Sequence, residues 1–416
     1  MITNRFHTLD RDTVRDPDEL LAAVESVTGD VPLRWFVSRV TDTEVVVEVT
    51  GYAGPPLPEL PAASPAAGGT DVVVSLVPTG IGCAIGGYAG DAAPATSLLA
   101  GCADYVVTNP NAVNASDFIR LDERVVYTEG SCIDLFCQGA INLYLPRANK
   151  VGLIIEHADP YAVRHALSVV NAVRAVHGVE VVDYVVTDRP IGTRCARHAS
   201  GAYVGQLDDP KLLLDAAREL VDRGADAIAV TTNVQDLPAA AYQQHFLGNH
   251  PNPVGGAEAV VSHLVSRSLQ VPCAHAPMVN FKELSRTGTV DARGAAEYVS
   301  ISGLGCVLIG LARAPQLAPA PKRRTAESLS VDQVTAVVAP ATALGSAPVL
   351  YADRQGIPVI AVRDNTTILD VTAESLGLRG AIEVGSYVEA AGTILALRRG
   401  ISLSSLHRPL RSYGRI

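Results

Sequence analysis

Apolar runs alternate with amphipathic segments between residues 70 and 315, and this pattern constrains the fold more than any other feature of the sequence. Strand-like runs such as DVVVSLV (71–77) and ADAIAVTTN (225–233) are separated by segments of helical periodicity such as PKLLLDAARELVDRG (210–224). Strands that alternate with helices of this length usually build mostly parallel sheets covered by helices. We therefore predict an α/β fold on mostly parallel sheets.

The other candidate elements of this region follow the same alternation. Further strands are predicted at DYVVTN (104–109), KVGLIIEH (150–157), VEVVDYVVTD (179–188), VPCAHA (271–276) and GCVLIGL (305–311). Helices are predicted at YAVRHALSVVNAVRAVHG (161–178) and GGAEAVVSHLVSRSLQ (255–270).

Two linkers rich in Pro and Ala divide the chain into three predicted units. The first linker covers residues 55–69 and the second covers residues 314–330. We predict a small N-terminal α+β unit (1–54), a main α/β domain that carries the site (70–315), and a C-terminal α/β unit (330–416). The N-terminal unit is expected to hold a helix at 16–28 and a hairpin of LRWFVSRV and EVVVEVTGY, and the last unit alternates strands and helices.

The composition excludes several classes of protein. Of 416 residues 48% are hydrophobic and 18% are charged, which favours a homo-oligomer over a monomer. The formal net charge is −10, so a nucleic-acid partner is not expected. The charged N-terminus has no signal-peptide pattern, and no apolar run reaches membrane-spanning length. The seven cysteines are scattered along the chain, which indicates reduced thiols. We therefore predict a cytoplasmic protein without a membrane partner.

The stretch PTGIGCAIGGYAGDAA (78–93) carries five glycines directly after a predicted strand. It has no lysine and its glycine spacing departs from GxGxxG, so neither nucleotide-binding motif is present. Its backbone N–H groups could bind an oxyanion, and a plain tight turn is the alternative. The binding candidates here are Thr79, Gly80, Gly82, Gly86 and Gly87. Asp91 is either a catalytic acid or only a helix cap.

Polar residues follow most of the other predicted strands, at the edge where open α/β sheets bind ligands. Glu129 is a candidate general base, and a solvated acid at a strand end is the alternative. The candidate substrate-binding residues of these segments are Asn111, Asn114, Asp188, Ser200, Thr232 and Asn233. Asn, Ser and Asp also favour ordinary turns, so each has a structural alternative.

A helix and the strand after it carry the remaining candidates. Glu258 and His263 are five residues apart, so they are not expected to share a helix face cleanly. Cys273 and His275 alternate on a strand and therefore point to one side, as a nucleophile and its base or as inert core residues. Half of a divalent-metal site is a further alternative, although no pair of residues has close ligand spacing.

These segments together resemble the family called domain of unknown function 3326. The resemblance rests on PTGIG and GGYAGDA (78–92), GADAIAV (224–230), GAEAVVSHL (256–264), PCAHAP (272–277) and VLIGLARAPQ (307–316). The family name implies no activity. The family pattern has a histidine where this chain has Asn109, and a basic–aromatic pair where it has Thr232–Asn233, which implies a different substrate. A strand ending in Thr-Thr-Asn is also distantly similar to the aspartate/glutamate racemase superfamily, but its cysteine is missing.

These patterns predict an enzyme that acts on a small anionic or amide-bearing metabolite by acid–base or cysteine-assisted chemistry. Hydrolysis, elimination and isomerisation all suit such a site. The alternative is a non-catalytic sensor of a phosphorylated or carboxylated metabolite. The sequence requires no cofactor, and its few aromatic residues disfavour a large planar one.

Overall fold

The computed structural model of the chain describes residues 1–28, 32–65, 69–87, 91–110, 122–235, 239–278, 291–292, 303–319 and 325–414. Within these ranges the helices are α1 (Pro17–Thr28), α2 (Ala93–Ala100), α3 (Gly130–Gln138), α4 (Pro160–His177), α5 (Pro210–Asp222), α6 (Ala239–Phe246), α7 (Gly255–Leu269), α8 (Gly303–Leu311), α9 (Ala347–Arg354), α10 (Ala373–Leu376) and α11 (Tyr387–Arg398). The strands are β1 (Ile2–Asp10), β2 (Arg34–Val40), β3 (Glu44–Tyr52), β4 (Val72–Ser75), β5 (Tyr105–Thr108), β6 (Val125–Tyr127), β7 (Leu143–Pro146), β8 (Val151–Ile155), β9 (Val181–Val186), β10 (Thr193–Arg197), β11 (Tyr203–Leu207), β12 (Ala227–Thr232), β13 (Cys273–Pro277), β14 (Thr325–Leu329), β15 (Val334–Pro340), β16 (Val359–Val362) and β17 (Ala381–Val384).

Two parallel sheets form the centre of the molecule, and they confirm the predicted fold class. One has six strands in the order β17-β16-β15-β4-β5-β6, and the other has four in the order β13-β12-β8-β9. Their central strands are almost fully buried, as expected for sheets that helices cover on both faces. The six-stranded sheet takes strands from both sides of the second linker, so the predicted main and C-terminal units share it.

The N-terminal unit is a three-stranded antiparallel sheet in the order β1-β3-β2, beside α1. The predicted hairpin of β2 and β3 is confirmed, whereas β1 lies in a segment for which the sequence predicted no strand. Strand β2 reaches the segment after β15, where Val37 N donates to Gly345 O at 2.7 Å. A Cβ atom on Gly345 would lie 2.5 Å from Val37 O, so only glycine allows this approach.

The prediction of a strand at GCVLIGL is wrong, because residues 303–311 form helix α8. Every residue of α8 after Gly303 is buried, so the segment is apolar on all sides and shows no helical periodicity. An apolar run of this length does not distinguish a buried helix from a buried strand. No helix in the described part of the chain is long and apolar enough to cross a membrane.

Candidate functional site

A cavity of about 220 Å³ lies between the two parallel sheets, beyond the carboxyl ends of β4, β5 and β6. Helix α7 and strand β13 close it on the side of the four-stranded sheet, and β2 closes it on the side of the N-terminal sheet. Its polar and charged wall consists of Arg34, Thr79, Asn109, Glu129, Asp134, Glu258, Ser262, His263, His275 and Ser346.

Glu129 is the N-cap residue of α3, with its backbone extended and its carboxylate accepting from Ser131 N at 3.0 Å. The same carboxylate accepts from the Ser131 hydroxyl, from Ser262 Oγ at 3.1 Å and from Cys132 Sγ at 3.5 Å. It is 4% exposed. A buried carboxylate surrounded by this many donors is held in one orientation.

His263 completes this cluster from α7, where its Nδ1 hydrogen-bonds to Glu129 Oε1. Burial by itself would raise the pKa of Glu129, but the His263 charge and the hydrogen bonds lower it overall. Glu129 is therefore ionised at neutral pH and can only accept, so Nδ1 of His263 carries the proton. In the neutral ring Nε2 is then the basic nitrogen, and among the described residues it has no hydrogen-bond partner.

Asp134 lies five residues after Glu129, in the second turn of α3, and also lines the cavity. Burial, with a smaller contribution from the Glu129 charge, raises its pKa from 3.8 to about 7, although His263, Arg34 and Arg267 oppose the shift. This carboxyl group therefore gains or loses a proton near neutral pH.

His275 lies on β13, lines the cavity and is 6% exposed. Its Nε2 is 2.8 Å from Thr232 Oγ1, and its buried Nδ1 has no partner in the described part of the chain. Burial lowers the pKa of His275 to about 3, so the ring is neutral at physiological pH. A buried polar atom without a partner is rare in folded proteins, and it marks His275 as a candidate functional residue.

Cys273 packs in the core formed with α7 and α5 and does not line the cavity. Burial raises its pKa well above the usual value, and burial has the same effect on Cys132 beside Glu129. Both side chains are therefore neutral thiols, which are poor nucleophiles.

Of the described residues in the glycine-rich segment (78–87 and 91–93), those that line the cavity are Pro78, Thr79 and Ile81. A Cβ atom on Gly255 would lie 2.9 Å from Gly80 N, so this part of the segment packs closely on the first turn of α7. Gly82, Gly86 and Gly87 do not line the cavity.

Three consecutive N–H groups in the middle of this segment already have partners within the protein. Ala84 N donates to Thr366 O, Ile85 N donates to Asn365 Oδ1 at 2.8 Å, and Gly86 N donates to Asp91. These donors are therefore not available to an oxyanion. Ala92, and not Asp91, is the N-cap residue of helix α2, and its side chain makes no cap hydrogen bond.

The remaining predicted site residues lie at several places. Asn111 and Asn114 fall outside the described residues, while Asn109 pairs through both amide atoms with the backbone of Val77. Three further candidates lie outside the cavity wall. Asp188 forms an exposed ion pair with Arg189, and Ser200 accepts a hydrogen bond from Ala202 N in the β10–β11 turn. Asn233 N donates a hydrogen bond to buried Glu156. Glu258 and His263 both line the cavity despite their five-residue spacing.

Sequence reasoning did not select Arg34, Trp35, Ser131, Asp134 or Ser262 as site residues. Asp134 and Ser262 are close in the chain to the predicted residues Glu129 and His263, and this closeness could have identified them. Arg34 and Trp35 are on an antiparallel strand, and no local pattern indicates where that strand docks. No group of three or more metal-ligating side chains comes together within the described ranges.

Two comparisons with known proteins bear on this site. The sequence model of a family described as "Protein of unknown function (DUF3326)" matches residues 72–407. A protein of Synechococcus sp. (strain ATCC 27144 / PCC 6301 / SAUG 1402/1), named an uncharacterized lipoprotein, is 38% identical over 336 residues, or 80% of this chain and 92% of that protein. The predicted family is thereby confirmed, and the distant similarity to racemases stays a prediction.

Proposed function

This chain belongs to the DUF3326 family of proteins of unknown function, and we propose that it is an acid–base enzyme acting on a small anionic or amide-bearing metabolite. The observation that carries the proposal is the buried Glu129–His263 pair at the cavity wall. A carboxylate that fixes the protonated Nδ1 of a histidine leaves Nε2 as a general base, as in many hydrolases and isomerases.

In this proposal His263 takes a proton from the substrate through Nε2 and returns it to the product. Glu129 is a positioning residue, because its oxygens are occupied by protein donors and do not reach the substrate. His275 stays neutral and uses Nδ1 to hydrogen-bond a carbonyl or carboxylate oxygen of the substrate. Asp134 supplies a second proton carrier near neutral pH. Cysteine-assisted chemistry has less support, because Cys273 is buried as a neutral thiol.

The experiment first identifies ligands and then asks whether they change. Small carboxylates and amides are screened for an increase in the melting temperature of the protein, and each stabilising compound is then incubated with the protein in D₂O. We expect NMR to show conversion or deuteration of at least one compound, slowed about 10²-fold or more by His263→Asn. His407→Asn, at an exposed position outside the cavity wall, is the matched control. Compounds that bind but never change would favour the sensor alternative.

We also propose that the protein is a cytoplasmic homo-oligomer. Seven cysteines scattered singly along the chain support a reducing compartment, and the high apolar fraction supports subunit contacts. One relative is named a lipoprotein, so cell fractionation is the relevant test. Recovery of the native protein in the membrane fraction, or a monomer mass by light scattering, would contradict this part of the proposal.

A further inference from the structure

The N-terminal sheet contributes to the cavity although it precedes the range that the family model matches. Residues Arg34 to Val37 of β2 line the cavity, whereas the family match begins at residue 72. The contact of Val37 with Gly345 and an antiparallel bridge between Phe36 and Ser346 hold β2 at this position. Residues of the N-terminal unit therefore complete a cavity whose other walls lie within the family-matched range.

Arg34 brings a positive charge to this wall. Its guanidinium lies 5.0 Å from the centre of the Phe36 ring, and burial lowers its pKa. Among the described residues it forms no ion pair, although the carboxyl groups of Glu48 and Asp134 act on it from a distance. Asp134 titrates only near pH 7, so it does not fully neutralise Arg34. A half-buried guanidinium without a paired carboxylate favours an anionic ligand.

Much of the remaining wall is apolar. Trp35, Phe36, Ile81, Ile133 and Leu369 line the cavity beside Arg34. A volume of about 220 Å³ is smaller than the roughly 300–1,000 Å³ of pockets for drug-sized ligands, so the ligand must be small. The apolar side chains favour a ligand with a hydrocarbon or aromatic body over a compact polar anion.

We propose that this cavity binds a small carboxylate with an apolar body, whose carboxylate pairs with Arg34 while its body packs against Trp35 and Phe36. Arg34 is therefore a specificity-determining residue supplied by the N-terminal unit. The substrate assignment rests on the proposed function, whereas the binding itself does not depend on turnover.

Calorimetric titration with matched probes tests this inference. The probes are phenylacetate, phenylacetamide, phenethylamine and acetate, and the proteins are the wild type, Arg34→Gln, Arg39→Gln and His263→Asn. Arg39 is the matched control, since it lies on the same strand and forms an exposed ion pair with Glu44. We expect phenylacetate to bind the wild type and Arg39→Gln alike, and Arg34→Gln at least about 10-fold more weakly, because a charged hydrogen bond contributes about 1.5–3 kcal/mol. Acetate and phenylacetamide should also bind at least about 10-fold more weakly.

Several outcomes would overturn the inference. These are equal phenylacetate binding by Arg34→Gln and the wild type, binding of phenylacetamide or phenethylamine as tight as that of phenylacetate, and no binding of any probe by the wild type. The melting temperature of each unliganded variant identifies loss of folding. Binding of phenylacetate should survive His263→Asn. If Arg34-dependent binding is present but ligands are never converted, the acid–base function fails and the binding inference stands.

Discussion

Nδ1 of His263 is hydrogen-bonded to Oε1 of Glu129 although the two residues are 134 positions apart in the chain. Glu129 caps α3 two residues after the end of β6 in the six-stranded sheet. His263 lies on α7, which leads into β13 of the four-stranded sheet. The contact therefore connects the two halves of the molecule at the cavity. Because both side chains are buried, it should affect both the stability of the fold and the chemistry of the site.

Replacing Glu129 by Gln should destabilise the protein and slow turnover together. The amide offers only one acceptor oxygen to Ser131, Ser262 and His263, so buried donors lose their partners, at a cost of about 1–3 kcal/mol each. We expect a loss of about 3 kcal/mol in the free energy of unfolding in urea and a rate reduction of about 10²-fold. Glu123→Gln, at an 86% exposed side chain, is the control. Equal stability of the two variants would show that the pair contributes little.

Asp134 should make the protein less stable as the pH rises towards neutrality. Burial raises its pKa from 3.8 to about 7, so between these values the folded state keeps a proton that the unfolded state releases. Ionising this half-buried carboxyl group therefore costs stability. We expect Asp134→Asn to gain in free energy of unfolding relative to the wild type as the pH increases across this range. A difference that does not change with pH would contradict the raised pKa.

His275 should have the opposite effect in acid. Burial lowers its pKa from 6.5 to about 3, so below pH 6.5 the unfolded state binds a proton that the folded state does not. Stability is then lost on acidification by up to about 1.4 kcal/mol per pH unit. His275→Gln cannot take up this proton, so the stability of the variant relative to the wild type should rise as the pH falls from 6.5 to 4, measured by urea unfolding. Parallel pH profiles would indicate that His275 is not buried in its neutral form.

Gly86 should tolerate substitution far less well than another glycine of the same backbone conformation. Its φ is +78°, and a Cβ atom would lie 2.2 Å from Val77 Cγ1. Gly178 has a φ of +68° with no atom within 4 Å of the added Cβ. We expect Gly178→Ala to lose about 1–2 kcal/mol of unfolding free energy from the backbone alone, and Gly86→Ala to lose clearly more. Equal losses of unfolding free energy in the two variants would mean that the backbone at Gly86 shifts enough to accommodate the Cβ atom without a clash.

Local patterns predicted the elements and the strand-end residues better than the contacts between them. Glu129 and His275 could be selected because each lies at or near the carboxyl end of a predicted strand, where open α/β sheets bind ligands. The pairing of Glu129 with His263 could not be predicted, because it depends on how α3 packs against α7 across the cavity. Arg34 was missed for the same reason, since the docking of β2 depends on the close approach to Gly345. Helix α8 was mistaken for a strand because an element buried on all sides has no amphipathic period.

The tautomer of His263 tests the central claim most directly, because the proposed chemistry requires a bare Nε2. The measurement is a ¹⁵N–¹H correlation spectrum of protein labelled at histidine, with His263→Asn used to assign the ring signals. We predict that neutral His263 carries its proton on Nδ1 in the wild type, and that Glu129→Gln shifts the ring towards a mixture of tautomers. A wild-type ring protonated on Nε2, with Nδ1 bare, would contradict the acid–base pair.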